Sequence, residues 1–255
     1  MDLITLGKNC IKEAIEILDK SSAEIVQFKG PTKNVQITAD LAAEKTIINI
    51  LKKSGFSFNI ISEEGKPIKS GENPEIDVYI DPLDGSSYFL TGNKRLCCTA
   101  LMFVKKEKVL ASFVGDIVTG DIYYCDENFA YCNGQKISFS KNKKGERYFV
   151  ASYAPKGKRI KEELPKLADL AQEKIMIINN SGPLEQAFVT TGQFDAVADL
   201  LPISLWDYCG SAIAEKAGAI LTDIEGKPFH FRNIKQTAIT ARDEKIHKML
   251  IEALK

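Results

Sequence analysis

One ten-residue run, residues 80–89, constrains the fold of this chain more than any other part of the sequence. It starts at the end of an apolar segment, residues 76–80, that predicts a short buried strand. Asp81 and Asp84 are therefore expected at a strand end, three residues apart, with a proline fixing the turn between them. Gly85 and two serines follow, and an aromatic pair after them predicts the start of a helix.

This run combines two kinds of binding group. Carboxylate oxygens bind hard divalent cations, and the backbone N–H groups at the start of a helix bind phosphate. An Asp-Gly step taken alone is more commonly a β-turn. The combination of both groups in one turn instead predicts a site at which a phosphate ester is cleaved.

Composition narrows the class of protein. The chain has 255 residues, of which 44% are apolar and 27% charged, as in ordinary globular proteins. Its 34 basic and 34 acidic residues give a formal net charge of zero, so neither a nucleic-acid partner nor an anionic membrane is expected. No apolar run approaches the roughly 20 residues that span a bilayer. Six cysteines without CxxC spacing predict neither a zinc site nor a disulfide framework, which favours a reducing, cytoplasmic location.

The order of predicted elements divides the chain at about residue 150. Residues 1–150 are interpreted as an α+β half that carries the metal and phosphate groups. It contains predicted helices over 2–20 and 38–53, followed by strands over 58–62, 76–80, 97–104, 108–114, 121–125 and 147–152. A polar break is predicted at 29–34 and a polar loop at 66–75.

Residues 151–255 are interpreted as an α/β half that completes the metal site and the substrate rim, because strands and helices alternate there. The predicted helices are 164–171, 184–191, 207–217 and a terminal helix from 243, and the predicted strands are 174–178, 195–201, 219–222 and 238–240.

Two further acidic positions are candidate ligands. Glu63 directly follows the 58–62 strand within a Glu-Glu-Gly turn, and Asp207 begins a predicted helix after a turn. Taken singly, the first is usually a solvated turn and the second a helix N-cap. The spacing does not fit an EF-hand loop, and no Walker A pattern occurs. His230 and His247 lie in the C-terminal part and are not expected to act in catalysis.

The chain resembles the inositol monophosphatase superfamily of magnesium-dependent, lithium-sensitive phosphatases. Residues 81–89 match its Asp-Pro-(Ile/Leu)-Asp-Gly-(Ser/Thr) signature followed by an aromatic. Glu63 matches its upstream Glu-Glu, and residues 206–212 match its Trp-Asp in a small-residue helix. Residues 38–40 resemble its Thr-x-x-Asp stretch, and residues 130–134 resemble its Ala-x-x-Asn-Gly turn. The resemblance implies a layered α-β-α-β-α sandwich and a homodimer. Within the family, the chain most resembles microbial members with dual inositol monophosphatase and fructose-1,6-bisphosphatase activity.

The resemblance also implies roles for individual residues. Two Mg²⁺ ions, and a weaker third, are expected. The implied ligands are Glu63, Asp81, the Leu83 carbonyl, Asp84 and Asp207. Ser86, paired with Asp40, is expected to orient the attacking water, with Glu63 also acting in catalysis. The phosphate is expected on the N–H groups of Gly85 and Ser86.

Substrate recognition is implied less closely. The family often has Arg-x-x-Gly-Ser where this chain has residues 177–181, so its arginine and glycine are absent and Ser181 is retained. Asp199 stands where inositol-specific members place a glutamate. Asp199 is either a contact to a substrate hydroxyl or a strand-end aspartate that faces solvent.

The leading hypothesis is a magnesium-dependent phosphomonoesterase that acts on inositol monophosphate, on fructose 1,6-bisphosphate, or on both. A 3′-phosphoadenosine 5′-phosphate phosphatase is the alternative within the same class. From a different class, a catalytically silent metal- and phosphate-binding protein stays open. Retention of all four acidic positions and of Ser86 argues against the silent protein.

Overall fold

The computed structural model describes residues 2–29, 34–139, 147–152, 160–171 and 175–254. Its helices are α1 (Leu3–Lys20), α2 (Thr38–Lys53), α3 (Ser86–Leu90), α4 (Ile160–Leu170), α5 (Pro183–Thr191), α6 (Cys209–Ala217) and α7 (Glu244–Ala253). Short 3₁₀ helices cover Lys94–Leu96 and Leu205–Tyr208.

The strands form a hairpin and two larger sheets. The hairpin pairs β1 (Ile25–Lys29) with β2 (Asn34–Ile37). The first sheet contains β3 (Phe58–Ser62), β4 (Ile68–Ser70), β5 (Ile76–Asp84), β6 (Cys98–Lys105), β7 (Lys108–Asp116), β8 (Ile122–Cys125), β9 (Ala130–Cys132) and β10 (Gln135–Ile137). The second contains β11 (Tyr148–Ser152), β12 (Ile175–Asn179), β13 (Ala196–Ile203), β14 (Ile220–Thr222) and β15 (Gln236–Ala241).

The two sheets differ in strand direction. The first has the order β10-β9-β8-β7-β6-β5-β3-β4 and is antiparallel except for the parallel pair β3–β5. The second has the order β12-β11-β13-β15-β14, with β11 parallel to both β12 and β13. This contrast follows from the α/β alternation of the second half, because a parallel neighbour needs a crossover connection.

Helices cover both faces of both sheets. Helices α1 and α2 pack on one face of the first sheet around Leu6, Ile47 and Phe103. Helices α5 and α6 pack on its other face, where Tyr79 and Ile213 belong to a second core. The same two helices contact the second sheet, and α4 and α7 cover its far side. The order of layers is α-β-α-β-α, which confirms the predicted sandwich.

The predicted strand over 76–80 was too short. The observed β5 continues to Asp84, and its pairing with β6 is irregular between Asp81 and Asp84. Pro82 explains the irregularity, because it has no N–H to donate to the neighbouring strand. Asp81 and Asp84 therefore lie in the last, irregularly paired residues of β5 and not after the strand.

Other differences involve short elements. The polar loop predicted over 66–75 contains the edge strand β4, whose apolar signal is limited to Ile68. Two short strands around the Asn133-Gly134 turn were missed, although both turn residues have the positive φ (49° and 85°) of a tight hairpin. The helix predicted from Asp207 begins with the 3₁₀ turn. Residues 30–33 of the predicted polar break lie outside the described residues.

Candidate active site

The turn after β5 is fixed by its own backbone. The Leu83 N–H donates a hydrogen bond to Asp81 Oδ1 at 3.1 Å. Gly85 then adopts φ +85° as the N-cap of α3. A Cβ at this position would lie 2.6 Å from the Leu96 carbonyl oxygen, so only glycine fits without movement of the backbone. The turn therefore presents Asp84 and the start of α3 to the same space.

Glu63 is brought beside this turn by the parallel pairing of β3 and β5. The carboxyl ends of parallel strands meet at one edge of a sheet, and the Glu63 N–H donates to the Ile80 carbonyl at 3.0 Å. Glu63 is therefore held next to Asp81 although 17 residues separate them along the chain.

Asp207 reaches the same place from the second half of the chain. It lies in the 3₁₀ turn before α6, where its Oδ2 accepts a hydrogen bond from the Ser204 N–H at 3.0 Å. Ser204 is the N-cap of this turn and Asp207 is its N3 residue, so Asp207 acts in a capping box and not as the N-cap itself. Asp207 also lines the cavity described below, so capping and a place in the site are combined in one side chain.

We call Glu63, Asp81, Asp84 and Asp207 the acidic cluster. Burial and then the charges of Glu63, Asp84 and Asp207 raise the pKa of Asp81 well above its ordinary value. Burial, followed by the charge of Glu185, raises the pKa of Asp84 in the same direction. Burial raises the pKa of Asp207 to about 7. Asp81, Asp84 and Asp207 resist ionisation in this way, so they need either protons or cations.

The donor chemistry of the acidic cluster fits a divalent cation. All of its groups are oxygen donors of the kind that bind Mg²⁺. Across the part of the chain that the structure describes, however, no three histidine, cysteine or acidic side chains stand close enough together to hold a metal ion as they are oriented. Oxygens of Asp81 and Asp207 instead accept hydrogen bonds from backbone N–H groups. The cluster fits by chemistry and requires side-chain rotation to close around an ion.

Ser86 and Asp40 form a hydrogen-bonded pair beside the acidic cluster. The Ser86 hydroxyl lies 2.9 Å from Asp40 Oδ1 and 3.1 Å from the Leu83 carbonyl oxygen. Asp40 is fully buried, and its other oxygen accepts from the Ile37 N–H at 2.6 Å at the start of α2. A hydroxyl that donates its proton to a carboxylate keeps its lone pairs to accept from a water molecule.

These groups surround a cavity of about 470 Å³. Its lining includes three members of the acidic cluster, together with Leu83, Gly85 and Ser86 from the turn. The second half contributes the chain segments 180–182, 202–204 and 206–207 and also Lys235. The cavity therefore lies between the two halves of the chain, and its size is within the range of small-molecule sites.

Two of the predicted substrate residues, Ser181 and Asp199, belong to a second group of polar side chains. We call this group the amide network: Asn180, Ser181, Glu185, Gln186 and Asp199. Ser181 lines the cavity and donates to Asp199 Oδ1 at 2.6 Å. Asp199 is 2% exposed, and its Oδ2 accepts from Gln186 Nε2 at 3.2 Å. Asp199 lies in the middle of β13, so it is neither a strand-end residue nor a solvent-facing one. Its carboxylate lies behind Ser181.

Asn180, Glu185 and Gln186 of the amide network were not predicted from the sequence, and Glu185 is the most deeply perturbed of them. It is 3% exposed, one oxygen accepts from the Asn180 side-chain amide, and Oε2 has no hydrogen-bond partner among the described residues. Burial raises its pKa to about 7. Burial also raises the pKa of Asp199, to about 6. The available signal was the Glu-Gln pair at the start of α5, which places two polar side chains among apolar residues in the first turns of the helix.

The histidines and cysteines lie outside the cavity lining. His247 contacts Thr222 Oγ1 at 2.8 Å, and His230 lies 3.5 Å from Glu107. All six cysteines are free thiols in the structure. Cys97 stabilises the turn between β5 and α3, because its thiol donates to the Gly85 carbonyl at 3.3 Å.

Comparisons with known proteins identify relatives along the whole chain. A model of the inositol monophosphatase family matches residues 2–255. The fructose-1,6-bisphosphatase/inositol-1-monophosphatase of Archaeoglobus fulgidus is 31% identical over 236 residues, which cover 88% of this chain and 84% of that protein. The inositol-1-monophosphatase of Bacillus subtilis is 25% identical over 255 residues and covers 97% and 94%. The structure of extragenic suppressor protein suhB from Bartonella henselae superposes with a TM-score of 0.86 at 26% identity, covering 99% and 98%.

Proposed function

The chain belongs to the inositol monophosphatase family and is a phosphoric monoester hydrolase, and from this premise we propose that it hydrolyses a small sugar or polyol phosphate in a magnesium-dependent reaction. Inositol monophosphate and fructose 1,6-bisphosphate are the two substrates named for its relatives. The family is metal-dependent. The observation that carries the proposal is the meeting of Glu63, Asp84, Asp207 and Ser86 at one cavity.

Mg²⁺ would be held by the acidic cluster and by the Leu83 carbonyl, with two ions per site and a third held more weakly. When bound, Mg²⁺ polarises the phosphoryl oxygens and makes water a better nucleophile. Asp81 would contribute its carboxylate to holding these ions, and the charges of Glu63, Asp84 and Asp207 all act on it.

The protein's own groups would orient the reactants. Ser86 donates to Asp40 and accepts from a water molecule, which fixes the direction of attack. Asp40 is held on its other side by the Ile37 N–H, so the pair is rigid before substrate binds. The N–H groups of Gly85 and Ser86 would contact the phosphate.

A phosphate-release panel tests this function. Inositol 1-phosphate, fructose 1,6-bisphosphate and 3′-phosphoadenosine 5′-phosphate are each offered with Mg²⁺ and, in parallel, with EDTA. We expect release from one of the first two that depends on Mg²⁺. Release from the nucleotide alone would select the alternative phosphatase. No release from any phosphomonoester would leave the silent binding protein as the remaining hypothesis.

Assembly and location are further proposals. A homodimer and a cytoplasmic location are supported by the family and by the composition, and neither a nucleic acid nor a membrane is expected as a partner. Across the described ranges, no helix combines the length and the apolar character needed to cross a bilayer.

A further inference from the structure

Lys235 gives the cavity a positive charge at a position that the sequence did not predict. Among the described residues that line the cavity, Lys235 is the only lysine, arginine or histidine. It directly precedes β15, and the pairing of Ile203 with Gln236 places it beside the segment 202–204 of the same wall. This wall belongs to the second sheet, whereas Gly85 and Ser86 follow the first.

The ammonium group of Lys235 is available to a ligand. Its side chain is exposed, and within the described part of the chain no hydrogen bond or ion pair joins it to another residue. Lys235 is also near enough to Asp207 for the two charges to interact. A lysine held at the edge of an acidic cavity without a fixed partner is suited to bind an anion that arrives with the substrate.

The opposite holds for the carboxylate expected to recognise a polyol. Asp199 is 2% exposed, and its two oxygens already accept hydrogen bonds from Ser181 and Gln186. A substrate hydroxyl would have to displace Ser181 to reach it. The cavity therefore presents the Lys235 ammonium group to a ligand, whereas the Asp199 carboxylate is covered. Recognition of uncharged polyol hydroxyls would instead require an accessible carboxylate.

We propose that Lys235 binds a second anionic group of the substrate, so that the preferred substrate is a phosphomonoester with another phosphate at its non-reacting end. This inference rests on the proposed function and names its substrate class. A sugar bisphosphate and a nucleoside bisphosphate both provide this chemistry. Charge-assisted hydrogen bonds of an ammonium to phosphate contribute more than its bonds to neutral hydroxyls, which gives the discrimination its physical basis.

The test compares substrates that differ by one phosphate. The kcat/KM values for fructose 1,6-bisphosphate and fructose 1-phosphate are measured with saturating Mg²⁺ for the wild type and for Lys235→Gln. Adenosine 3′,5′-bisphosphate and adenosine 3′-phosphate form the nucleotide pair. Lys248→Gln is the matched control, because Lys248 is an exposed lysine on α7 outside the cavity lining, and Lys235→Arg tests rescue by a retained positive charge.

We expect the wild type to prefer the bisphosphate of one pair, and Lys235→Gln to lower that preference by about tenfold, as the loss of one charge-assisted hydrogen bond implies. Lys248→Gln should keep the wild-type ratio and Lys235→Arg most of it. The pair that shows the effect identifies the substrate as a sugar or a nucleotide. If Lys235→Gln instead lowered kcat/KM equally for the bisphosphate and the monophosphate of each pair, Lys235 would act through Asp207, and the inference would be overturned. Absence of all release would contradict the proposed function itself, a different outcome.

Discussion

The acidic cluster and the amide network both contain buried carboxylates, but the groups that surround these carboxylates differ. In the acidic cluster Glu63, Asp84 and Asp207 line the cavity, and their charges add to burial in raising the pKa of Asp81. In the amide network the Asp199 carboxylate is covered by Ser181 and Gln186. Asp81 and Asp207 accept hydrogen bonds from nearby backbone N–H groups and keep further lone pairs for a cation. Asp199 instead accepts from two side chains and is a structural support. The comparison separates the region for chemistry from the region that shapes the substrate wall.

The largest effect should come from the acidic cluster. Asp84→Asn removes a charged ligand, so we expect kcat for phosphate release to fall by about 10³-fold or more, with the circular dichroism spectrum unchanged. Asp77→Asn is the matched control, because Asp77 lies on the same strand, is partly buried and accepts from Asn59 Nδ2 at 2.9 Å. Near-normal turnover of Asp84→Asn would remove the distinction between the two regions.

Ser86 tests the part of the site that handles water. Ser86→Ala deletes the hydroxyl between Asp40 and the cavity, and we expect kcat to fall by about 10²-fold, the usual range for a group that orients or deprotonates a nucleophile. Ser86→Thr keeps the hydroxyl and should recover most of the rate. If the alanine and threonine variants were equally active, Ser86 would have no role in orienting water.

Glu185 tests the amide network through stability. Its pKa rises from an ordinary 4.5 to about 7 on folding. Between these values the unfolded chain has released this proton and the folded protein has kept it, so stability falls as pH rises and then levels off above about 7. We expect Glu185→Gln to be more stable than the wild type by about 3 kcal/mol at pH 8 and by little at pH 4.

This difference is measured by urea unfolding in EDTA at several pH values. Glu16→Gln, a change at an exposed position on α1, is the control and should follow the wild type throughout. A wild type whose stability runs parallel to that of Glu185→Gln at every pH would contradict a Glu185 held protonated by burial.

The smallest effect is expected at Ser181. Ser181→Ala removes the hydroxyl that lines the cavity and covers Asp199, so KM should rise by about three- to tenfold, with a smaller change in kcat. Ser152→Ala removes a similar buried hydroxyl of the second sheet, bonded to the Ala198 carbonyl at 2.8 Å, and should leave KM unchanged. A kcat loss at Ser181 as large as at Ser86 would place the amide network in the chemistry.

The acidic turn could be anticipated because its geometry is encoded locally. Pro82 and Gly85 fix the backbone between Asp81 and Ser86 within six residues, and a parallel partner strand fixes Glu63. The sandwich itself was predicted correctly from the resemblance. The roles of these side chains and the division near residue 150 remain predictions.

The substrate wall could not be anticipated in the same way. The direction of the Asp199 side chain depends on donors from Ser181 and from α5, and no local pattern specifies them. Lys235 enters the cavity because β13 pairs with β15 across more than 30 residues of chain. The residues around Lys235 in the sequence are typical of an ordinary surface loop and do not indicate a binding site.

The central claim is that the acidic cluster holds divalent cations jointly. The most direct measurement is the anomalous difference density of crystals soaked in Mn²⁺, which replaces Mg²⁺ on oxygen ligands. The account predicts two neighbouring peaks, both within coordination distance of Asp81, with Glu63 on one and Asp84 and Asp207 on the other. Crystals that take up Mn²⁺ without any peak at these four carboxylates would contradict it.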